Sequence, residues 1–218
     1  PTLEDQLKTK EDLKKISAQG KAESFFSFQK EATQLLKARL PSNKTLLGFV
    51  GAPFTLYTYA SEGSHKDGLH LSKRGLYEGR YEDFFKLLLP CLEIEMQVQA
   101  EGGADAVCLF DTAVGELSPQ DFERYILPSL KIICQNFKTK FPKTRLVYYS
   151  KNTSLAHLRL IATIKEIDVL GIDWKNDLSA TLKEFGDRFY IQGNIDPDWL
   201  FLPWEELERR LENLWGQM

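Results

Sequence analysis

Five short apolar segments punctuate the chain, and each is followed by a stretch in which apolar residues recur at helical spacing. The segments are Leu46–Val50, Ala104–Phe110, Arg145–Ser150, Asp168–Asp173 and Phe189–Gln192. Between them, Phe25, Phe28, Ala32, Leu35 and Leu36 mark an amphipathic helix over Ala22–Arg39, stopped by Pro41. Phe85, Leu88, Leu89, Leu92 and Met96 mark a long helix over Tyr81–Ala100, with a kink expected at Pro90. Ser118 with Pro119 opens a helix that runs to about Phe137, interrupted or bent at Pro128. Thr9 with Asp12 caps Lys10–Ser17, Ser154 caps Leu155–Ile164, and Asp177 caps Leu178–Phe185, which Gly186 ends in a left-handed conformation. Pro203–Leu214 closes the series. No two strands are close enough for a hairpin, so the alternation predicts an α/β fold with a parallel sheet built from right-handed βαβ units.

At 218 residues the chain is long enough for one sizeable core, and no linker or low-complexity segment divides it. The net charge is −3 and the isoelectric point is near 5.8, which argues against a nucleic-acid partner. No apolar run approaches a membrane span, so no membrane partner is expected. Cys91, Cys108 and Cys134 are widely spaced among apolar residues and read as buried free thiols of a cytoplasmic protein. No CxxC occurs and no His adjoins a Cys, so no metal site is expected.

Parallel α/β proteins bind ligands where their strands end, so the candidate chemistry is read there. Tyr59 and Thr112 follow strand ends, where a hydroxyl can face a ligand. The plainer readings are a core-edge tyrosine and a turn hydroxyl. Asp111 is either a buried acid or an acceptor for a backbone N–H of its turn. Asp173 ends the fourth strand, and Asp196 before Pro197 reads as a helix cap. His65, His70 and His157 read as solvated positions. His65, Lys66, Lys73 and Arg74 cluster after the first strand and can either receive an anion or form a solvated loop. Lys10, Lys14, Lys15 and Lys21 read as an exposed face.

Three segments, in order, carry a resemblance: Gly48-Phe49-Val50-Gly51-Ala52-Pro53-Phe54-Thr55-Leu56, Leu109 to Phe122, and Gln192-Gly193-Asn194-Ile195-Asp196-Pro197. With Glu62-Gly63 and Gly171-Ile172-Asp173-Trp174, they resemble the uroporphyrinogen decarboxylases over Leu3 to Trp215. The resemblance implies a TIM-type (β/α)8 barrel, of which these segments are similar to strands three to seven. It implies decarboxylation of the acetate side chains of uroporphyrinogen III to coproporphyrinogen III, with no metal or organic cofactor, by a homodimer. Tyr59 and Thr112 match hydroxyls that bind substrate side chains in that family. The family's Arg-rich segment on strand one, its catalytic Asp after strand two and its Gly-His pair after strand eight have no counterpart in this sequence. The expectation is therefore one barrel-type domain over residues 1–218, an incomplete barrel of about five parallel strands, lacking both ends of the family's domain and inactive alone. Tyr149-Ser150-Lys151-Asn152 departs from the family's usual Gly- or Ala-containing strand end.

Two other readings compete. A catalytically dead remnant or scaffold is consistent with the absent Asp. A corrinoid-dependent methyltransferase shares the barrel but needs a His-x-Cys zinc site at the third strand here, where the sequence reads Val147-Tyr148-Tyr149-Ser150-Lys151.

Overall fold

The computed structural model describes residues 6–14, 16, 22–63 and 68–216. The elements are α1 (Lys10–Leu13), α2 (Ala22–Arg39), β1 (Leu47–Gly51), α3 (Pro53–Glu62), α4 (His70–Tyr77), α5 (Arg80–Glu101), β2 (Ala106–Asp111), α6 (Pro119–Asp121), α7 (Leu127–Lys140), β3 (Arg145–Ser150), α8 (Leu155–Ile161), β4 (Val169–Gly171), α9 (Leu178–Phe185), β5 (Tyr190–Gln192) and α10 (Trp204–Trp215). The five strands form one all-parallel sheet in the order β1-β2-β3-β4-β5. Among the described residues no helix is long and apolar enough to cross a membrane.

Strand alternation divides the sheet into two unlike faces. On one, Val50, Val107, Leu109, Leu146, Tyr148 and Leu170 join Phe54, Tyr57, Leu92, Met96, Ile126 and Ile133 from the helices in a single buried cluster. On the other, among the described residues, Ala106, Cys108 and Val147 form a small cluster with Phe110, Tyr149 and Val169 and with no helix. Phe49 and Tyr190, on that same face by register, are 63% and 69% exposed. A doubly wound sheet carries helices on both faces and reverses its strand order. Sequential order with one helix-covered face is the arrangement of an open arc of a barrel.

The strand and helix order follows the sequence reading, and four caps form as expected. The side chains of Thr9, Ser118, Asp177 and Asp196 each accept a backbone N–H of the following turn. Several expectations need correction. The segment after β1 is helical: Pro53 opens α3, in which Phe54, Thr55, Tyr57, Thr58, Ala60 and Ser61 are buried. Its aromatic and β-branched residues favour strands locally, but burial against α5 outweighs that preference. α4 was likewise not anticipated. α1 ends at Leu13 rather than Ser17, and α8 at Ile161 rather than Ile164. Gly186 stays right-handed at φ −64°. The interruption expected at Pro128 falls just before it, as a π-helical turn over Phe122–Ile126. Proline has no N–H to return to the preceding turn, and the wider turn accommodates its ring.

His157 is buried rather than solvated. It is 3% exposed. Its Nδ1 lies 2.9 Å from Ser154 Oγ, and its Nε2 lies 3.2 Å from the Leu117 carbonyl. Burial lowers its pKa, so a neutral ring donates from Nε2 to Leu117 and accepts at Nδ1, linking the segment after β2 to the start of α8. His70 is exposed at the start of α4, whereas His65, Lys66, Lys15 and Lys21 lie outside the described residues.

Arg80, at the start of α5, is 1% exposed. Its Nη1 donates to the carbonyls of Leu7 and Lys8, and its Nη2 donates to that of Leu71 at 2.9 Å. One side chain thereby ties the segment before α1, α4 and α5 together.

Candidate functional site

Because every strand is parallel, Gly51, Asp111, Ser150, Gly171 and Gln192 all end at one rim, and the loops that follow them share it. Below this rim the helix-free face carries a row of aromatic rings. Phe49 meets Phe110 with centroids 5.9 Å apart and planes at 61°, and Phe110 meets Tyr149 at 5.7 Å and 74°. These edge-to-face contacts cross β1, β2 and β3: Phe110 and Tyr149 are direct register partners, and Phe49 reaches Phe110 diagonally, two residues before the Gly51 that Phe110 faces. The row continues because Gly171 has no side chain: a Cβ there would sit 3.0 Å from the Tyr149 ring. Period-two spacing within each strand was the available signal for this row, but which face the helices would leave bare was not readable locally.

The loops above the row are organised by Asp173, which is 2% exposed. Its carboxylate accepts from the backbone N–H of Asn152 at 2.6 Å, that of Lys175 at 3.1 Å and Asn176 Nδ2 at 2.9 Å. Asn194 donates to the Asn176 carbonyl at 2.7 Å, drawing in the loop after β5. Lys151 Nζ lies 5.7 Å from the centre of the Trp174 ring, a cation held over an aromatic face at the rim. The unusual strand ending Tyr149-Ser150-Lys151-Asn152 thus supplies a ring to the row and a cation above it.

Asp111 points the other way. Alternation puts it on the helix-covered face, fully buried, where Thr55 Oγ1 and the Tyr148 hydroxyl each donate to it at 2.8 Å. Of the two readings the sequence leaves open, the buried acid is the one the fold realises, because β3 and α3 pack over this position and bring the two hydroxyls. Burial pushes its carboxyl up to about 6, against the opposing effect of the two hydroxyls. The folded chain therefore holds this proton more tightly than the unfolded chain. The contribution to stability is complete below about pH 4, where both states are protonated, and declines as pH rises to about 6. Asp111→Asn mimics the neutral acid. We expect it to melt a few degrees above the parent at pH 7.5, with the two melting temperatures converging near pH 4. Equal melting temperatures at both pH values would contradict the buried carboxylate. Several other carboxylates, Asp105 and Asp168 among them, are shifted downwards, so only the difference between the two proteins is diagnostic.

Thr112 follows β2 directly and is half-buried, while Tyr59 lies nearly two turns into α3 and is 50% exposed. Tyr59 is therefore a helical residue, not one just past a strand end. β1 and β2 are adjacent, so both residues belong to segments that leave the same rim. The basic cluster expected after β1 is reduced to Lys73 and Arg74 among the described residues, and Arg74 is paired with Glu78 at 2.6 Å on its own helix. Two concavities lie in the helical layer. One, of about 500 Å³, is bounded by Tyr77, Phe85, Leu89, Arg124, Tyr125 and Ile132. The other, of about 340 Å³, lies between α2 and the edge of β1.

A family model described as uroporphyrinogen decarboxylase (URO-D) matches residues 1–217. Among curated relatives, the uroporphyrinogen decarboxylase of Trichodesmium erythraeum is 30% identical over 213 residues, covering 97% of this chain and 59% of the relative. That of Carboxydothermus hydrogenoformans is 33% identical over 218 residues, covering 98% and 60%, and that of Hordeum vulgare is 31% identical over 213 residues, covering 97% and 64%. The chain thus spans about three-fifths of the length of these relatives. A sequential parallel sheet with one bare face, matched by a family model over nearly every residue, means that this chain belongs to the uroporphyrinogen decarboxylase family.

Proposed function

We propose that this chain supplies the tetrapyrrole-holding wall of a uroporphyrinogen decarboxylase, a cytoplasmic, homodimeric lyase, with residues 1–218 forming one barrel-type domain. The observation that carries this reading is the aromatic row Phe49–Phe110–Tyr149 beneath a rim bearing hydroxyls and a cation. A porphyrinogen presents apolar pyrrole faces and eight carboxylates. The row offers apolar edges to the pyrroles. The Thr112 and Tyr59 hydroxyls and Lys151 are suited to its carboxylates. The thiols fit a reducing compartment: Cys108 and Cys134 are buried, Cys91 is half-buried, and all three are free.

In the reaction, a proton adds to the ring carbon beside the acetate, and the C–C bond to the carboxylate breaks. Its electron pair flows into the protonated pyrrole, carbon dioxide leaves, the methylene left behind takes a second proton, and the ring carbon gives up the first to restore the pyrrole. The protonated pyrrole is its own electron sink, so the protein's part is an anion fixed near the ring N–H groups. Among the described residues, Asp111 is turned to the helices and Asp173 is committed to three donors. Neither is suited to that task. The 25.1 kDa chain by itself is therefore expected to bind the tetrapyrrole weakly. Its turnover should fall at least ~100-fold below that of a longer relative, the usual loss when a preorganised group is missing. Anaerobic incubation with uroporphyrinogen III, oxidation, and chromatography by carboxylate count checks this. Seven- to four-carboxylate products at a relative's rate would show that these residues are sufficient.

A further inference from the structure

Thr55 stands where the helix that carries Tyr59 meets the segment that carries Thr112. Its Oγ1 donates to Asp111 Oδ1 at 2.8 Å and accepts from the backbone N–H of Ala113 at 3.3 Å. The residue before Thr112 and the residue after it are therefore held by one hydroxyl. Thr55 also lies one helical turn before Tyr59 on α3, so the two share a helix face. The Tyr148 hydroxyl holds the other oxygen of Asp111 from β3 at 2.8 Å. All three side chains are buried, with Thr55 at 5%, Asp111 at 0% and Tyr148 at 1% exposure.

We infer that Thr55 and Asp111 are positioning residues: together they clamp the Asp111–Ala113 segment to α3, and so set where Thr112 stands relative to the helix that carries Tyr59. The geometry gives the reason. With Asp111 drawn to the helix-covered face and the Ala113 N–H tied to the same hydroxyl, Thr112 is fixed between two anchored neighbours. Without the clamp the segment beyond β2 can rotate, because Thr112 is past the last ladder residue. The groups facing Asp111 come from three elements: Thr55 of α3, Tyr148 of β3 and Tyr81 of α5, with Cys134 of α7 beyond Tyr148. None of these is a cation, so Asp111 is held by the two hydroxyls and the backbone N–H of Thr55, and only the Thr55 hydroxyl also reaches Ala113.

The clamp is a statement about conformation; its consequence for binding rests on the functional reading above. The test uses the whole chain. Amide hydrogen exchange at Ala113 is measured by NMR in the parent, Thr55→Val and Thr55→Ser, alongside thermal melts and binding of uroporphyrin, the oxidised octacarboxylate, followed by fluorescence. Thr55→Val should speed exchange at Ala113 at least about tenfold and weaken uroporphyrin binding about tenfold, and Thr55→Ser should restore both. Unchanged exchange in Thr55→Val would overturn the clamp. Faster exchange with unchanged binding would overturn its positioning role. Should the parent not bind uroporphyrin, the functional reading fails and exchange alone decides the clamp. Should Thr55→Val not fold, a pH titration of the parent replaces it. The Thr112 and Ala113 amide resonances should then move together as Asp111 titrates, while those of Val107 and Cys108 stay still. If the first pair does not move, the clamp is refuted.

Discussion

Replacing Gly75 by alanine is expected to lower the melting temperature of the chain by about 10 °C, where the same change in an exposed helix would raise stability by about 1 kcal/mol. Gly75 lies buried inside α4. A Cβ there would sit 1.8 Å from the Tyr57 hydroxyl oxygen, 2.8 Å from Arg80 Nε and 2.9 Å from Arg80 Nη2. None of these atoms can retreat easily. The Tyr57 ring is fully buried and packed against Tyr81 at 5.4 Å and Phe84 at 5.3 Å. Arg80 is pinned by three carbonyls. The methyl group must therefore displace a rigid ring or unpair a buried cation, and overpacking of this kind costs about 3 kcal/mol or more. Thermal unfolding followed by circular dichroism measures it. Adding Tyr57→Phe removes the oxygen that fills the missing side chain's place and should recover part of the loss. A single variant that melts at or above the parent would contradict this packing.

The second large effect is expected at the rim. Gly115 lies in the short helical turn Val114–Glu116 after β2, and a Cβ there would stand 2.2 Å from the Lys151 carbonyl oxygen and 2.6 Å from Asn152 C and O. These are backbone atoms, so no rotamer change relieves the contact, and the loops after β2 and β3 must part. Asn152 cannot follow freely. It sits at φ 58° with its N–H bonded to Asp173 at 2.6 Å, a left-handed conformation that only a few residue types tolerate. Gly115→Ala should therefore cost about 3 kcal/mol, loosen the Asn152 amide in hydrogen exchange, and weaken uroporphyrin binding at least about tenfold. It differs from Gly75→Ala in damaging the rim as well as the fold. Parent-like melting together with parent-like exchange at Asn152 would rule out this close approach.

The candidate site was only partly legible before the fold was known. Thr112 could be named from its place after β2 and from the family resemblance, and it does follow that strand. Tyr59 could be named too, but its helical setting in α3 could not. The sequence Phe54-Thr55-Leu56-Tyr57-Thr58-Tyr59 has the local character of a strand, and only burial against α5 makes it a helix. The row Phe49–Phe110–Tyr149 is assembled from three strands far apart along the chain, so no window of sequence contains it. His157 reads as solvated from the sequence because it is isolated among polar neighbours. Its burial comes from Leu117, 40 residues away.

What the sequence determined by itself was whatever rests on contacts within a few residues. The caps at Thr9, Ser118, Asp177 and Asp196 are of that kind, since each side chain bonds a backbone N–H in its own first turn. So is the strand–helix alternation, because spacing too long for hairpins leaves only parallel crossover connections. The family was legible as well, from the order of a few short segments. Tertiary structure alone decided which face of each strand meets the helices. That choice sends Asp111 inward to Thr55 and Tyr148, and leaves Phe110 and Tyr149 on the bare side. It also decided which glycines cannot change, because Gly75 and Gly115 are constrained by atoms of Tyr57, Arg80 and Lys151 brought in from other elements. The physical reason is that a one-residue change of register reverses every side chain of a strand at no local cost, so only packing between distant segments selects one arrangement.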